Sequence, residues 1–282
     1  MWLILVFVAT VCFAIARVLQ KSLLNNVNHD PITYAIYFQL VVAMLVLPIA
    51  LFNGFSIPPL GQIWPNLLLT AFLYCLGNIF SFRSLKKIPV SEFTILAATI
   101  PIWATLTAVL FLHESAHPIK LLGVLLTVAG IVAAFYTGKK FALTKGHYAA
   151  LLAAIAWGCA FTNDAYLLHS FNASTYSFVY WFWPGIVLGA LYYKKLRGIS
   201  HFVKNGVWKF LAPAALFALA SLAINTSYKL GAEASQLATI IQFGTIITII
   251  FGVVFLGEKE NLAKKILGGL IVILGVILVQ VK

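Results

Sequence analysis

The clearest pattern along the chain is a succession of apolar segments, each about 20 residues long, separated by short polar stretches. A helix of that length crosses roughly 30 Å of hydrocarbon. We number ten such segments in chain order: residues 2–24, 32–52, 66–85, 91–112, 119–136, 147–169, 174–193, 207–229, 234–256 and 264–281. Apolar and polar residues do not alternate strictly, as they would in a membrane β-barrel. Because backbone groups in lipid must be hydrogen-bonded within each segment, the pattern predicts an all-α membrane protein with ten transmembrane helices.

The second half of the chain repeats the first after an offset of 144 residues, with one insertion before the last segment. The repeat pairs serines, glutamates and glycines: Ser91 with Ser235, Glu114 with Glu258, Gly123 with Gly268 and Gly130 with Gly275. We therefore predict a first five-helix repeat at residues 1–138, a short basic connector at 139–146 and a second five-helix repeat at 147–282. Because each repeat has an odd number of spans, the second is inserted upside down, which is a 5+5 inverted-topology repeat.

Inverted repeats place a solute site near the middle of the membrane, between the two halves. Halves related by a two-fold axis also offer two conformations of similar energy, and a bound solute shifts the population between them. The duplication therefore predicts transport by alternating access. The paired glycines lie seven residues apart on one helix face, which favours close packing of the fifth and tenth segments. That packing lies within one subunit or at a homodimer contact.

The composition supports a membrane location, since 62% of the residues are hydrophobic and only 9% are charged. A soluble domain carries about 25% charged residues. The first segment lacks a basic start and aligns with the sixth, so we expect a retained helix rather than a signal peptide. The cysteines Cys12, Cys75 and Cys159 all lie inside apolar segments. Their odd number argues against a disulfide framework.

The net charge of +12 is concentrated on one side of the predicted bundle. Lysines and arginines at the odd-numbered loops outnumber those at the termini and even-numbered loops by about five to one. Because cytoplasmic loops are rich in Lys and Arg, we predict cytoplasmic odd loops and both termini outside, in a bacterial-type inner membrane. The charge suits anionic lipid headgroups, and we expect no nucleic-acid partner.

Several short motifs recur in order along both halves. The first half has Pro89-Val90-Ser91, Pro101 and Leu112-His113-Glu114 before Gly123 and Gly130. The second half has Leu230-Gly231-Ala232, Ser235 and Phe255-Leu256-Gly257-Glu258 before Gly268 and Gly275, and Ala156-Trp157-Gly158 lies in the sixth segment. Together with the ten spans, this order resembles the drug/metabolite transporter superfamily, specifically its EamA-type exporters, over nearly the whole chain.

The resemblance implies a secondary transporter that exports small polar or amphipathic metabolites, such as amino acids. It implies a cavity lined by spans 1–4 and 6–9. Members often have an arginine early in span 2, where this chain has Gln39, with Trp183 in the second copy, and Thr245 replaces a second-copy proline. Members commonly keep both termini in the cytoplasm, opposite to the orientation that the charges predict. A lipid-carrier flippase is the alternative within transport.

Two ionisable residues inside the spans are candidates for coupling or gating, because charges are costly in the membrane. Arg17 lies near the cytoplasmic border of span 1 and either extends to the interface beside Lys21 or holds an anionic group. Asp164 in span 6 either forms an ion pair with Lys229 or couples transport to protons. Arg83 and Lys229 end spans 3 and 8, where they are candidates to hold a carboxylate or phosphate, or are ordinary loop-border charges.

Further candidates for solute binding are polar or aromatic residues within the spans. Asn78 and Asn225 lie mid-span, each on a face with a serine and a tyrosine, of which Tyr228 belongs to the second copy. Gln242 shares a face of span 9 with Ser235 and Thr239. Hydrogen bonds between helices are the alternative role for all of them. Trp157 and Trp183 are candidates for an aromatic lining, and Trp183 lies too deep for an interfacial belt.

The run from His113 to His117 matches H-E-x-x-H, which on a helix binds zinc. The repeat counterpart of Glu114, which is Glu258, has no histidines beside it, and Pro118 follows the run at once. A zinc metalloprotease therefore stays only an alternative. No P-loop occurs, so ATP drive is unsupported. We expect no enzyme, no metal and no cofactor.

Overall fold

The computed structural model of the protein describes residues 2–26, 30–112, 118–135, 143–198, 207–232, 240–258 and 260–280, together with Leu237. Within these ranges every regular element is helical. The first half contains six α-helices: α1 (Trp2–Asn26), α2 (Pro31–Phe52), α3 (Leu60–Lys87), α4 (Val90–Ala97), α5 (Ile100–Leu112) and α6 (Pro118–Phe135). The second half contains five: α7 (Lys145–Ser170), α8 (Ala173–Leu191), α9 (Val207–Lys229), α10 (Gly244–Leu256) and α11 (Leu262–Gln280). A 3₁₀ helix at Tyr193–Gly198 follows α8.

Several helices begin where the sequence supplies a cap. The side chain of Asp30 accepts a hydrogen bond from the Thr33 amide at 3.0 Å, and Pro31 occupies the first position of α2. Asn172 accepts one from Thr175 at 2.7 Å at the start of α8. Thr144 caps α7. These side chains satisfy backbone donors that a helix start leaves without partners.

The fourth span is broken rather than continuous. Helix α4 ends at Ala97 and α5 begins at Ile100, directly before Pro101. Pro101 has no backbone N–H, so the helical ladder cannot run through it. The amide and the hydroxyl of Thr99 both donate instead to the Leu96 carbonyl, at 3.1 and 2.8 Å.

The ninth span breaks at the equivalent position, although its sequence has no proline there. Residues Ile240–Gln242 are helical, Phe243 is in a turn, and α10 begins at Gly244. The Phe243 amide donates to the Ile240 carbonyl at 3.1 Å, which is the counterpart of the bond made by Thr99. The shared break shows that the packing of the halves imposes it, and not proline alone.

The packing of the helices has two-fold character. Helix α1 packs on α9 as α3 packs on α7, while α2 packs on α8, α4 on α10 and α6 on α11. Exchanging the two halves maps the α1–α9 contact onto the α3–α7 contact, and it maps the α2–α8 and α6–α11 contacts onto themselves. Among the described residues, six helical segments are long and apolar enough to cross a membrane, and one of them, Val90–Phe111, comprises α4 and most of α5. With an odd number of spans in each half, this arrangement is the inverted two-repeat membrane fold that the sequence predicts. The boundaries at 138 and 147 stay predictions.

The two ends of the bundle are named here by their loops. At the odd-loop end the chain passes from α1 to α2, from α3 to α4, from α6 to α7, from α8 to α9 and from α10 to α11. The even-loop end is opposite and includes both ends of the chain. At the odd-loop end Asp30 pairs with Lys195 at 2.8 Å, across the two halves. Burial raises the pKa of Asp30, but the hydrogen bonds from Lys195 and Thr33 outweigh it and hold that pKa below its usual value.

Helices α6 and α11 approach each other at their glycines, as the sequence predicts. A Cβ atom built on Gly268 would lie 2.6 Å from the Gly130 carbonyl oxygen, and one built on Gly130 would lie 2.7 Å from the Val272 amide. Residues that face away from this contact, such as Leu125 and Leu274, are exposed and suited to lipid. The glycines therefore serve packing within the subunit, and a homodimer contact stays a prediction.

We predict that Gly268→Ala destabilises the protein by about 1–3 kcal/mol, because the added methyl group meets backbone atoms that cannot move aside. Thermal unfolding in detergent measures the effect as a lower midpoint. The matched control is Gly61→Ala, since nothing lies within 4 Å of a Cβ at that position in α3. Equal midpoints for the two variants would contradict the close approach.

Candidate functional site

A cavity of about 180 Å³ lies between the two halves. Its walls come from both repeats, including α1, α2, α3, α5, α7, α8 and α9, and from residues that precede α10. Most of the lining is aromatic or aliphatic, for example Phe38, Trp181 and Phe217. A few polar side chains interrupt it. Largely apolar walls with a few placed polar groups are typical of a small-molecule site.

Both broken spans border this cavity. Ile100 and Pro101 line it at the start of α5, and Ile241 and Gln242 line it before α10. A smaller cavity of about 50 Å³ continues beside the two breaks and shares Arg17 and Gln242 with the main one. Non-helical backbone at membrane depth is tolerated where it lines a cavity. The breaks are therefore explained by their position.

Two glycines near Trp157 allow close contacts between helices at the cavity wall. A Cβ atom built on Gly77 of α3 would lie 2.5 Å from the Trp157 indole nitrogen, so only glycine leaves room for the ring. A Cβ built on Gly158 would lie 2.7 Å from the Ile100 carbonyl oxygen, at the start of α5. The sequence Ala156-Trp157-Gly158 therefore lets α7 approach both α3 and the break.

Arg17 lies in the cavity and not at the interface. Its guanidinium carbon is 5.2 Å from the centre of the Phe93 ring and 5.5 Å from that of Trp157. These distances allow cation–π contacts. Its Nη1 atom is buried and has no hydrogen-bond partner in the described part of the protein. The neighbouring Lys21 points elsewhere and donates to the Leu85 carbonyl at 2.6 Å.

Asp164 also lines the cavity, closer to the even-loop end of α7. Its two carboxylate oxygens accept hydrogen bonds from the Tyr74 and Tyr176 hydroxyls, each at 2.5 Å. No ion pair joins it to Lys229, so the structure does not have the ion pair that was one of the two alternatives for Asp164. The reason is that Lys229 is exposed at the last turn of α9, while Asp164 faces the protein interior.

The predicted amide and hydroxyl groups meet in this cavity. Asn78 of α3 and Asn225, Tyr228 and Gln242 of the second half all line it. The Asn225 amide donates to the Ser177 hydroxyl at 2.7 Å, so it also joins α9 to α8. The Asn78 side-chain nitrogen is buried and has no partner among the described residues.

Four predicted binding residues lie outside the cavity lining. Gln39 is fully buried and donates to the Ala35 carbonyl of its own helix at 3.1 Å. The Trp183 indole donates to the Leu67 carbonyl at 3.1 Å and so joins α8 to α3. Arg83 and Lys229 are exposed near helix ends, and Arg83 lies over the Phe80 ring at 6.0 Å. The structure does not bring these four side chains to the cavity.

At the odd-loop end the two halves contact each other directly. The Glu258 carboxylate accepts hydrogen bonds from the Val90 and Ser91 amides at 2.7 and 3.0 Å, and from the Ser91 hydroxyl at 2.7 Å. It thereby caps the start of α4, where a negative charge is favourable. Gly257 has a φ of 68°, which ends α10 and turns Glu258 toward α4.

A buried ion cluster lies beside this cap. The Glu92 carboxylate contacts Lys265 Nζ at 2.9 Å and His147 Nε2 at 2.9 Å. The Thr144 amide donates to His147 Nδ1 at 3.0 Å, which leaves Nε2 to donate to Glu92. Lys265 is only 2% exposed. This cluster, made of Glu92, His147 and Lys265, joins α4 to α7 and α11.

The sequence analysis missed several of these residues. Gln20 lies one turn beyond Arg17 on the same face and lines the cavity. Tyr74 was placed only on a face with Asn78, and its bond to Asp164 has no local sequence signal. The cluster around Glu92 combines residues far apart in the chain. Of the residues at the odd-loop end, the sequence analysis singled out only Ser91 and Glu258, because each has an identical counterpart in the other half.

The residues from His113 to His117 lie outside the described ranges. Among the described residues, no group of three or more His, Cys, Asp or Glu side chains could hold a metal ion.

Comparisons with known proteins identify the family of the chain. The EamA-like transporter family matches the chain twice, at residues 1–136 and 144–281. An uncharacterized transporter of Archaeoglobus fulgidus is 24% identical over 285 residues, which cover 96% of this chain and 94% of that protein. A protein crystal structure shares the fold with a TM-score of 0.64 at 17% identity, covering 98% of this chain and 94% of the other. The chain belongs to the EamA-like transporter family and is a membrane transporter.

Proposed function

We propose that the protein is a secondary active transporter that exports small metabolites, such as amino acids, by alternating access. The observation that carries the proposal is the cavity between the inverted halves, which is bordered by two broken spans and contains one cationic and one anionic side chain. Broken helices at a repeat interface are where secondary transporters bind their solutes. Direction rests on the family alone.

Alternating access is supported by the unequal ends of the bundle. At the odd-loop end, the Glu258 cap and the Glu92 cluster tie α4 to the second half. The repeat counterpart of Glu258 is Glu114, but that of Glu92 is Gln236, so the even-loop end has no carboxylate in the sequence that matches Glu92. We propose that the ion cluster holds the odd-loop end shut, and that transport requires it to separate.

We propose that the odd-loop end faces the cytoplasm, in keeping with its lysines and arginines. Exposed residues there include Lys86, Lys87 and Lys194. In this orientation the closed end of the cavity is the cytoplasmic one.

Counterflow in proteoliposomes tests the transport proposal with amino acids, sugars, nucleosides and organic cations. We expect uptake of labelled solute against a preloaded pool for at least one of these classes, and Ser221→Trp should abolish it by filling the cavity. The matched control is Leu219→Trp on the exposed face of the same helix, which should retain counterflow. Absence of counterflow for every class would overturn the proposal.

Glu92→Gln should open the odd-loop end more often, because it removes the charge that holds Lys265 and His147. The measurement is alkylation of Ser81→Cys by an impermeant reagent from the odd-loop side, after Cys12, Cys75 and Cys159 are replaced by alanine. Ser81 lines the cavity. We expect faster alkylation than without Glu92→Gln.

The control for this experiment is Glu260→Gln, an exposed carboxylate at the same end of the bundle. It should leave the alkylation rate unchanged. A rate with Glu92→Gln that equals the control would mean that the cluster does not hold the end closed.

A phosphatase or fluorescent protein fused after Lys282 tests orientation. We expect phosphatase activity and no fluorescence, because an external C-terminus carries active phosphatase. The opposite result would reverse the orientation and leave the transport proposal intact.

A further inference from the structure

Besides the Trp181 indole, three buried hydrogen-bond donors without partners line the same cavity. They are Nη1 of Arg17, Nε2 of Gln20 and Nδ2 of Asn78, and none has a partner in the described part of the protein. Gln20 and Asn78 are only 2% and 3% exposed. A buried donor without a partner costs about 1–3 kcal/mol, so a group of them indicates a missing acceptor. Arg17 cannot accept a hydrogen bond, so the missing group must be an acceptor at that position.

Charge defines the acceptor further. Arg17 is half-buried between Phe93 and Trp157, and no described carboxylate forms an ion pair with it. A guanidinium in such surroundings favours a carboxylate, which it holds with two parallel bonds. The acceptor is therefore an anion.

The other charged residue of the lining has the opposite sign. Among the described lining residues, Arg17 and Asp164 are the only charged ones, so their charges cancel. Asp164 accepts one bond at each oxygen, from Tyr74 and Tyr176, and a carboxylate can accept about four. The rings of Tyr74 and Tyr180 lie beside it, with centroids 5.1 Å apart. A carboxylate among aromatic faces suits an ammonium group.

The two charges lie at different depths. Arg17 contacts Trp157, and Asp164 follows Trp157 by seven residues on one face of α7, which is about 10 Å along the helix axis. Charge-assisted hydrogen bonds of about 2.8 Å at each end leave room between the two groups for a compact zwitterion. The repeat counterparts of Arg17 and Gln20 are Phe161 and Asp164, so the first half supplies the cation and the second half the anion.

We propose that Arg17, Gln20 and Asn78 bind the carboxylate of the solute, and that Asp164 binds its ammonium group. The solute is a compact zwitterion of zero net charge, with its carboxylate toward the odd-loop end. A phosphate monoester would leave a second negative charge without a partner. This inference rests on the proposed transport function and names its substrate class.

The test uses four matched compounds: leucine, leucinamide without the carboxylate, isoamylamine with only the amine, and 4-methylpentanoate with only the carboxylate. Inhibition of counterflow and quenching of tryptophan fluorescence measure their binding to the purified protein. Leucine should bind at least about tenfold more tightly than each single-charge compound, which corresponds to about 1.4 kcal/mol.

Substitutions should remove the two preferences separately. Arg17→Gln should weaken the binding of leucine and of 4-methylpentanoate by a similar factor and leave the binding of isoamylamine unchanged. Asp164→Asn should weaken the binding of leucine and of isoamylamine and leave the binding of 4-methylpentanoate unchanged. Arg17→Lys should restore part of the lost binding, because it keeps the charge but not the paired bonds. Because the effects differ between compounds within one variant, a folding defect cannot produce this pattern.

Several outcomes would overturn the inference. One is that leucine, glycine and phenylalanine all fail to bind although another solute class shows counterflow, which leaves the transport proposal standing. Another is that Arg17→Gln weakens all the compounds equally. Loss of counterflow for every solute class instead contradicts the proposed function itself.

Discussion

A polar atom inside a bilayer must find its partner within the protein or within what the protein binds, because hydrocarbon offers none. This constraint explains why the described elements are helices and why side chains cap their ends. It also explains why the only interrupted spans, among those described, border a cavity. Some buried polar atoms of the described residues still lack a partner, and the donors of Arg17, Gln20 and Asn78 among them share one cavity. A bound solute is able to complete the hydrogen bonds of these three side chains.

Two-fold packing gives the molecule its shape, and departures from that symmetry give it a direction. The shared break at Thr99 and Phe243 shows how closely the halves correspond. The differences lie in a few side chains. Arg17 corresponds to Phe161 in the repeat, and Glu92 corresponds to Gln236. A symmetric bundle would favour neither end, and in the proposed mechanism these differences favour closure of one end and orient the bound solute.

Much of the fold follows from the sequence, because segment length and repetition are properties of the chain itself. The spans, the duplication and the close packing of Gly130 and Gly268 needed no tertiary information. The break before Gly244 required tertiary information, since no proline marks it in the sequence and packing imposes it. Solute-binding candidates that were chosen by their depth in the membrane were less reliable, because depth does not specify which face of the helix a residue occupies. Asn78 and Asn225 face the cavity, whereas Arg83 and Lys229 face outward. The partners of Asp164 and Glu92 come from distant segments, and no local sequence pattern predicts them.

The most direct test of the account measures the two ends of the bundle at once. Spin labels at Lys87 and Glu260 report the odd-loop end, and labels at Ser56 and Leu230 report the even-loop end, all at exposed positions. Electron–electron distances in lipid, with and without saturating solute, follow both ends. The account predicts that the two distances shift in opposite directions, since one end closes as the other opens. Two distances that change in the same direction, or that never change, would contradict alternating access between inverted halves.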